Sequence, residues 1–433
     1  MSARNPCEYL ISDVVEAGLC TRCGTCVGIC PVENIKIPDP LGTCLPEAGD
    51  VCISCGLCLE GCPGARVDFE SLERMVFGTL GSNRLTGFVR KAFLAYASDE
   101  GTRRKGASGG TVTALLMNLL ERREVNGVLL YAQDKIDRWK GAGRVIEDEE
   151  EIKRASQSRY HLSPMNTALR DLKGEEGRYA YVGLPCHVHA LRKLEITGWK
   201  AGVDLSPIIG IYCGNNLYFE ATAAMLRKLG IQSLESIEEL SYREGRWPGN
   251  FYVRTRDGRE SRVTKLEFNQ TIPFFINRRC LFCTDLTNEL ADISVGDGWA
   301  KEGIGSEGWS IVLTRTPKGE QIIDAAVESG AIHIEEISID EAVRMHSHAL
   351  DLKKSGAFIR LGMWKCFGVR VPAYMTEYPS ISAGRRIVEL LVSLQFAFCS
   401  SKAGKAIFGL LPLKVLGGLF RWLRKTWMHL TGG

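Results

Sequence analysis

The chain has 433 residues, 45% hydrophobic and 24% charged, with a net charge of +3. That balance belongs to a globular protein of about two to four domains and excludes a largely disordered chain, a coiled coil or a collagen-like fibre. The opening MSARNPCEYL lacks the apolar core of a secretory signal, and no run of 18 uncharged apolar residues offers a clean transmembrane helix. Residues 1–75 are cysteine-dense, with short turns and few apolar runs. From about 88 to 350 the pattern predicts alternating strands and helices. KAFLAYAS (91–98) reads as a strand, TVTALLMNLLERREV (111–125) as an amphipathic helix and VNGVLLYAQD (125–134) as a strand. RYAYVGLP (178–185) reads as a buried strand, HVHALRKLEITG (187–198) as a helix closed by glycine, and PIIGIYCG (207–214) as a further strand. A hairpin is predicted over 251–263 around Asp257-Gly258, and strands at 291–297 and 309–316. The predicted class is α/β, mixed α+β, in four parts: 1–75, 88–170, 171–350 and a helical tail at 351–433.

Charge is uneven. Residues 1–63 carry three basic side chains (Arg4, Arg22, Lys36) and eight acidic ones, whereas residues 384–433 carry eight basic ones and a single acid, Glu389. The basic charge is a property of the tail, so no nucleic-acid partner is expected.

Sixteen cysteines without an export signal read as metal ligands in a reducing cytoplasm. The only internal repeat is Cys20-x2-Cys23-x2-Cys26-x3-Cys30-Pro31, which recurs as Cys52-x2-Cys55-x2-Cys58-x3-Cys62-Pro63. Three thiolates at this spacing wrap one face of an iron–sulfur cube while the fourth reaches the neighbouring cube. One [4Fe-4S] cluster would use Cys20, Cys23, Cys26 and Cys62, the other Cys52, Cys55, Cys58 and Cys30. The competing explanations are zinc sites, which favour separated C-x2-C pairs, and a disulfide knot. Residues 18–64 resemble a bacterial two-cluster ferredoxin, which implies one-electron transfer.

A second set is dispersed. Cys186 stands where a strand turns into a helix, a position that lowers a thiol pKa. Cys213 ends the next strand, and Cys280 and Cys283 form a C-x2-C pair. If the strands run parallel, Cys186 and Cys213 sit at neighbouring carboxyl ends, where α/β sheets build their sites. The four could hold a third cube; a redox dithiol at Cys280/Cys283, or ordinary buried cysteines, are the alternatives. Cys7, Cys44, Cys366 and Cys399 read as structural. Lys105-Gly106-Ala107-Ser108-Gly109-Gly110-Thr111 leads into a helix, so its N–H groups, the Ser108 and Thr111 hydroxyls and the Lys105 charge could receive a phosphate. A plain glycine turn before a helix explains it equally. The G-x-G-x-x-G at Gly303–Gly308 precedes a strand, not a helix, and is rejected as a dinucleotide motif.

Four stretches together resemble the beta subunits of coenzyme F420-reducing hydrogenase and F420H2 dehydrogenase. They are Lys105–Gly110, Gly183-Leu184-Pro185-Cys186, Tyr242–Gly249, and Cys280–Asp285 continuing to Ala291–Asp297. With the ferredoxin-like run, residues 18–316 are covered, in the arrangement of the electron-input subunit of F420H2 dehydrogenase. The resemblance implies FAD contacting Ser108, Gly109 and Gly110, and supports Cys186, Cys213, Cys280 and Cys283 as a cluster set. The implied function takes a hydride from reduced F420, or a similar carrier, onto FAD and passes single electrons through [4Fe-4S] clusters to another redox subunit. The alternatives are a non-catalytic iron–sulfur adaptor and a flavin/iron–sulfur reductase acting directly on an organic substrate.

No catalytic acid or base is assigned, because the cofactors carry the chemistry. His187 and His189 read as helix-start residues with local hydrogen bonds, or as groups tuning a cluster. Tyr242, Arg243, Arg246 and Trp247 could face an anionic aromatic substrate, or form a turn stapled by Trp247. Asp285, Asp292 and Asp297 read as turn and strand-end residues. The tail, with IVELLVSLQFAF (387–398) and AIFGLLPLKVLGGLFRWL (406–423), then Arg424, Lys425 and Trp427, is broken as a membrane span by Pro412 and Lys414. Its composition suits a peripheral contact with an anionic membrane, or docking on another subunit or its own core. The expected location is the cytoplasm, with possible peripheral attachment to the membrane.

Overall fold

The structure, a computed structural model, describes residues 4–299, 307–374 and 382–431. Gly303 and Gly305 of the rejected glycine motif lie outside the described residues, as do the side chains of Arg424 and Trp427. Eleven strands form the two larger sheets. They are β1 (Lys91–Ala97), β2 (Gly127–Gln133), β3 (Gly141–Ile146), β4 (Arg178–Gly183), β5 (Asp204–Ile211), β6 (Ile237–Glu244), β7 (Asn250–Thr255), β8 (Glu260–Thr264), β9 (Ile293–Asp297), β10 (Ser310–Thr314) and β11 (Ile332–Ile337).

The main sheet is mixed and eight-stranded, in the order β11-β1-β10-β9-β5-β4-β2-β3. Its centre, β9-β5-β4-β2, is parallel, and antiparallel strands close both edges. The central strands are apolar on both faces because both are covered. Along β2, Val128 and Leu130 pack on one side with Leu115 of α1 (Thr111–Glu121), while Leu129 packs on the other with Val188 and Leu191 of α2 (Pro185–Ile196). The sequence-predicted strands and helices all appear, with ends shifted by a few residues; β5 stops at Ile211, so Cys213 lies two residues beyond it. Strands from 88–170 and from 171–350 thus share one sheet.

The predicted hairpin is β7–β8, pairing Asn250 with Thr264 and Arg254 with Glu260 around Gly258, whose φ of +85° needs a glycine. With β6 it forms a three-stranded sheet whose inner face carries Tyr242, Phe251 and Val253. The tail forms α3 (Ala383–Cys399), α4 (Lys402–Leu410) and α5 (Leu413–Thr431), and lays Val388, Val392, Phe396, Phe408 and Leu416 on that same core.

The N-terminal region is built from short pieces. Two single-turn helices, Thr25–Gly28 and Leu57–Glu60, each follow a left-handed glycine, Gly24 at φ 84° and Gly56 at φ 80°. Arg22 and Ser54, at equivalent places in the repeat, are also left-handed. Arg279 staples this region to the body: its buried guanidinium donates to the carbonyls of Leu19, Pro63 and Gly64 and to the Tyr374 hydroxyl.

Candidate functional site: three thiol sets and a cavity

All sixteen cysteines are free thiols. The repeated runs surround two hollows. One is lined by Cys20, Cys23, Cys26 and Cys62, with Cys44 also in its wall. The other is lined by Cys30, Cys52, Cys55 and Cys58, with Cys7 beside them. In each, three cysteines come from one run and the fourth from the other. Backbone N–H groups point at the sulfurs: the left-handed Arg22 donates to Cys20 Sγ and Ser54 to Cys52 Sγ at 3.4 Å, and Asn34 donates to Cys30 Sγ and Gly64 to Cys62 Sγ at 3.3 Å. Burial, then repulsion among neighbouring thiols, pushes Cys20 up to about 12 and Cys26 well above an ordinary thiol. Four thiolates are therefore stable here only around a strongly positive centre. Among the described residues, no group of three or more His, Cys, Asp or Glu side chains is arranged to hold a single metal ion. Hollows ringed by sulfur suit a multi-iron body better than tetrahedral zinc.

The dispersed set also converges. β4 and β5 are parallel neighbours, which meets the condition set in the sequence for Cys186 and Cys213 to lie near one another, and α2 begins two residues earlier than expected, so that Cys186 is its second residue. Cys186 feels the charges of Cys23, Cys213, Cys280 and Cys283. The expectation of a lowered Cys186 pKa is corrected: desolvation outweighs the helix N-terminus and drives the thiol well up. Buried Lys353 donates to the Cys280 carbonyl at 3.4 Å. Burial alone would lower its ammonium, but the thiols of Cys283, Cys280 and Cys213 raise it to about 12. Arg279, beside Cys280 in sequence, is the second buried cation.

A cavity of about 520 Å³ opens at the carboxyl ends of the parallel strands. Gly106, Ala107, Ser108, Gly110 and Thr111 form one wall, and Cys213 and His187 belong to another. Gly110, left-handed at φ 70°, caps α1. The Thr111 hydroxyl is buried without a hydrogen-bond partner, and so are Ser163 Oγ and Arg159 Nε, both in the same cavity wall. Unpaired buried donors are costly, and three of them along one cavity, one at a helix N-terminus, fit a large cofactor with an anionic group. Lys105 is exposed and outside this wall, and Gly109 is packed behind it, where a Cβ would meet the Ala95 carbonyl at 2.5 Å. Ser108 Oγ pairs with Ser310 Oγ at 3.0 Å.

Arg243 also lines the cavity, but its charge is already engaged. It pairs with Asp297 at 3.0 Å, and donates to the Ala107 carbonyl at 2.5 Å and to Tyr160 Oη at 3.1 Å. Burial would raise the Asp297 carboxyl; Arg243 and Lys265 hold it below the usual carboxylate range. Asp297 thus does more than end a strand. Tyr242 is core, bonded to Thr222 and edge-on to Phe251 and Phe268. Trp247 packs on Trp299 at 4.6 Å, and Arg246 is exposed. His187 accepts from the Leu184 N–H at 3.3 Å, whereas His189 reaches across to buried Asp285 at 2.8 Å. Asp285 and Asp292 hold backbone N–H groups of Asn288, Glu289 and Ile208. Cys366 is exposed, and Cys399 lies against the second core.

Two models of the coenzyme F420 hydrogenase/dehydrogenase beta subunit match this chain, its N-terminal part over residues 92–170 and its C-terminal part over 176–340. The chain belongs to that family. Among its relatives, the coenzyme F420-dependent sulfite reductase of Methanocaldococcus jannaschii is 29% identical over 352 residues, 76% of this chain and 49% of the relative. The chain therefore spans about half of that enzyme's length. A subunit from the F420H2 dehydrogenase of Methanosarcina mazei is 26% identical over 72% of this chain and 84% of its own. A chain of the F420-reducing [NiFe] hydrogenase complex from Methanosarcina barkeri superposes with a TM-score of 0.52 at 23% identity, covering 67% of this chain and 97% of that one, and shares the fold. Within this fold, Arg159, Ser163 and Lys265 line the cavity and Lys353 lies beside the dispersed thiols; sequence reasoning singled out none of them. None sits in a spaced motif: Arg159 and Ser163 come from a loop, Lys265 from a helix start and Lys353 from the interior of a helical stretch, all remote in sequence from the cysteines and the glycine turn.

Proposed function

We propose that this beta-subunit homologue is an oxidoreductase that takes a hydride from reduced coenzyme F420 onto FAD held in the 520 Å³ cavity and delivers electrons singly, through three [4Fe-4S] clusters, to a partner redox subunit. The observation that carries this is the order of the thiol sets. Cys213 belongs both to the cavity wall and to the dispersed set. Cys186 of that set feels Cys23 of the next, whose member Cys26 feels Cys58 of the last. The final set reaches the surface at Cys55, beside exposed Val51 and Ile53, where a partner would dock. A two-electron pocket thus opens onto a one-electron relay that ends at solvent.

FAD, when bound, exchanges a hydride with a deazaflavin and single electrons with the clusters. The chain's own part is binding and orientation. The Gly110–Thr111 N–H groups, the Thr111 hydroxyl and Arg159 would hold its phosphates, and the Arg243–Asp297 pair fixes the glycine turn through the Ala107 carbonyl. The F420-dependent relatives support the donor. A non-catalytic adaptor would leave the cavity without an occupant. The cytoplasm, where F420 is soluble, is the proposed location.

The test is anaerobic purification with iron and flavin quantification, then reduction by F420H2 or NADH in parallel. The expected result is about twelve irons per chain, four per cube, with one flavin, bleached by F420H2. About eight irons with flavin present removes the third cluster. Bleaching by NADH alone overturns the donor.

A further inference from the structure

The tail's inner side is accounted for, and its outer side is not. In α3, Val388, Val392 and Phe396 face the body, yet Ile387, Leu391, Leu394 and Phe398 on the opposite side are exposed. Leu410 at the end of α4 is 84% exposed and Trp422 in α5 is 62% exposed. Ten exposed large apolar side chains fall between residues 387 and 422, against twelve in all the described residues up to 374. A helix apolar on both sides needs cover on both.

The polar residues say what kind of cover. The tail's one acid, Glu389, is buried and bonded to Arg360 at 2.6 Å and to Arg385 at 2.8 Å, so it contributes no outward negative charge. Arg386, Lys402, Lys414, Arg421 and Lys425 are exposed, and none makes an ion pair among the described residues. The outer surface therefore combines apolar side chains with cations only. No single described helix is long and apolar enough to cross a membrane. α3 and α4 together would pass by length and composition, but they are bent by 73° and their inner sides are held on the protein core. That geometry lies on a bilayer instead of spanning it.

We propose that the outer side of α3–α5 is a lipid-binding surface that holds the chain on an anionic bilayer, with the apolar side chains at the acyl boundary and the lysines and arginines among the headgroups. This inference does not depend on the redox reading, and its test uses no turnover. The full chain, purified with its native cofactors, is floated with vesicles of phosphatidylcholine alone or mixed with phosphatidylglycerol. The expected result is association with the mixed vesicles, weakened by salt, and little with the neutral ones. Each basic residue near an anionic surface is worth about fivefold, so K402Q/K414Q/R421Q is expected to weaken binding about a hundredfold. L410Q/W422Q, at two outward positions, is expected to weaken it as well, and unchanged circular dichroism shows that both variants remain folded. Equal binding to neutral and anionic vesicles overturns the proposal. So does a wild-type chain that floats with neither, and if it is then dimeric by mass the face belongs to a second copy.

Discussion

In the N-terminal region each thiol set comes from two short loops whose backbones repeat, down to the left-handed Arg22 and Ser54 and the glycines that follow. The set around Cys186 draws instead on the start of α2, the segment after β5 and the Cys280–Cys283 turn, brought together by a parallel sheet. The two also differ in charge. The repeated runs combine backbone N–H groups aimed at sulfur with cations at their margin, Lys193 and Arg279 near Cys62, whereas the dispersed set has Lys353 buried beside three of its thiols. The comparison teaches that local spacing suffices to surround a hollow near the surface. A buried set between a cavity and that surface needs tertiary scaffolding and its own counter-charge.

The sharpest way to break this comparison is to remove one thiol of each kind. Cys280→Ser is expected to leave about eight of twelve irons, with F420H2 still bleaching the flavin but electron delivery to a one-electron acceptor falling at least a hundredfold. Cys26→Ser is expected to cost about four irons from the middle of the relay, with its paramagnetic signal lost and the dispersed set's retained. If Cys280→Ser keeps every iron, the two sets are not equivalent.

Arg279 joins the two regions, so Arg279→Ala tests whether they fold as one. Leaving the carbonyls of Leu19, Pro63 and Gly64 without their buried donor is expected to cost about 3 kcal/mol or more, read as a lower urea midpoint and earlier proteolysis near residue 64.

Thr111→Val examines the cavity end of the relay. Losing a hydroxyl bond to a charged phosphate is expected to raise the flavin dissociation constant about tenfold or more, with iron content unchanged. The smallest effect concerns counter-charge. Lys353→Met is expected to make the dispersed set harder to reduce, by about 60 mV, the size of a tenfold change in a one-electron equilibrium. A redox titration followed by paramagnetic resonance reads this directly, and signals from the repeated runs should stay in place.

Much of the architecture was legible in the chain's pattern. β1, β2, β4 and β5 were readable because strands covered on both faces leave dense apolar runs, and α1 because its apolar side repeats with helical spacing. The Cys186 thiol shows where such reasoning fails. A helix N-terminus lowers a pKa, but burial, invisible in a linear pattern, outweighs it here. Arg243 is a second case. Its motif suggested a substrate contact, but Asp297, 54 residues away, already holds the charge. Tyr242, in the same motif, turned out to be core.

By itself, the sequence determined the two repeated cysteine runs, the helix-capping glycine turn and the uneven charge of the tail, because each is set by neighbours a few residues apart. Only the tertiary structure decided that Cys213 faces both a cavity and the thiols of Cys280 and Cys283, that Lys353 lies beside those thiols while Arg159 lines the cavity, and that Glu389 points inward and leaves the tail's outer face without an acid. The physical reason is range. Spacing acts along the backbone, whereas burial, charge pairing and the meeting of distant strands exist only once the chain has closed on itself.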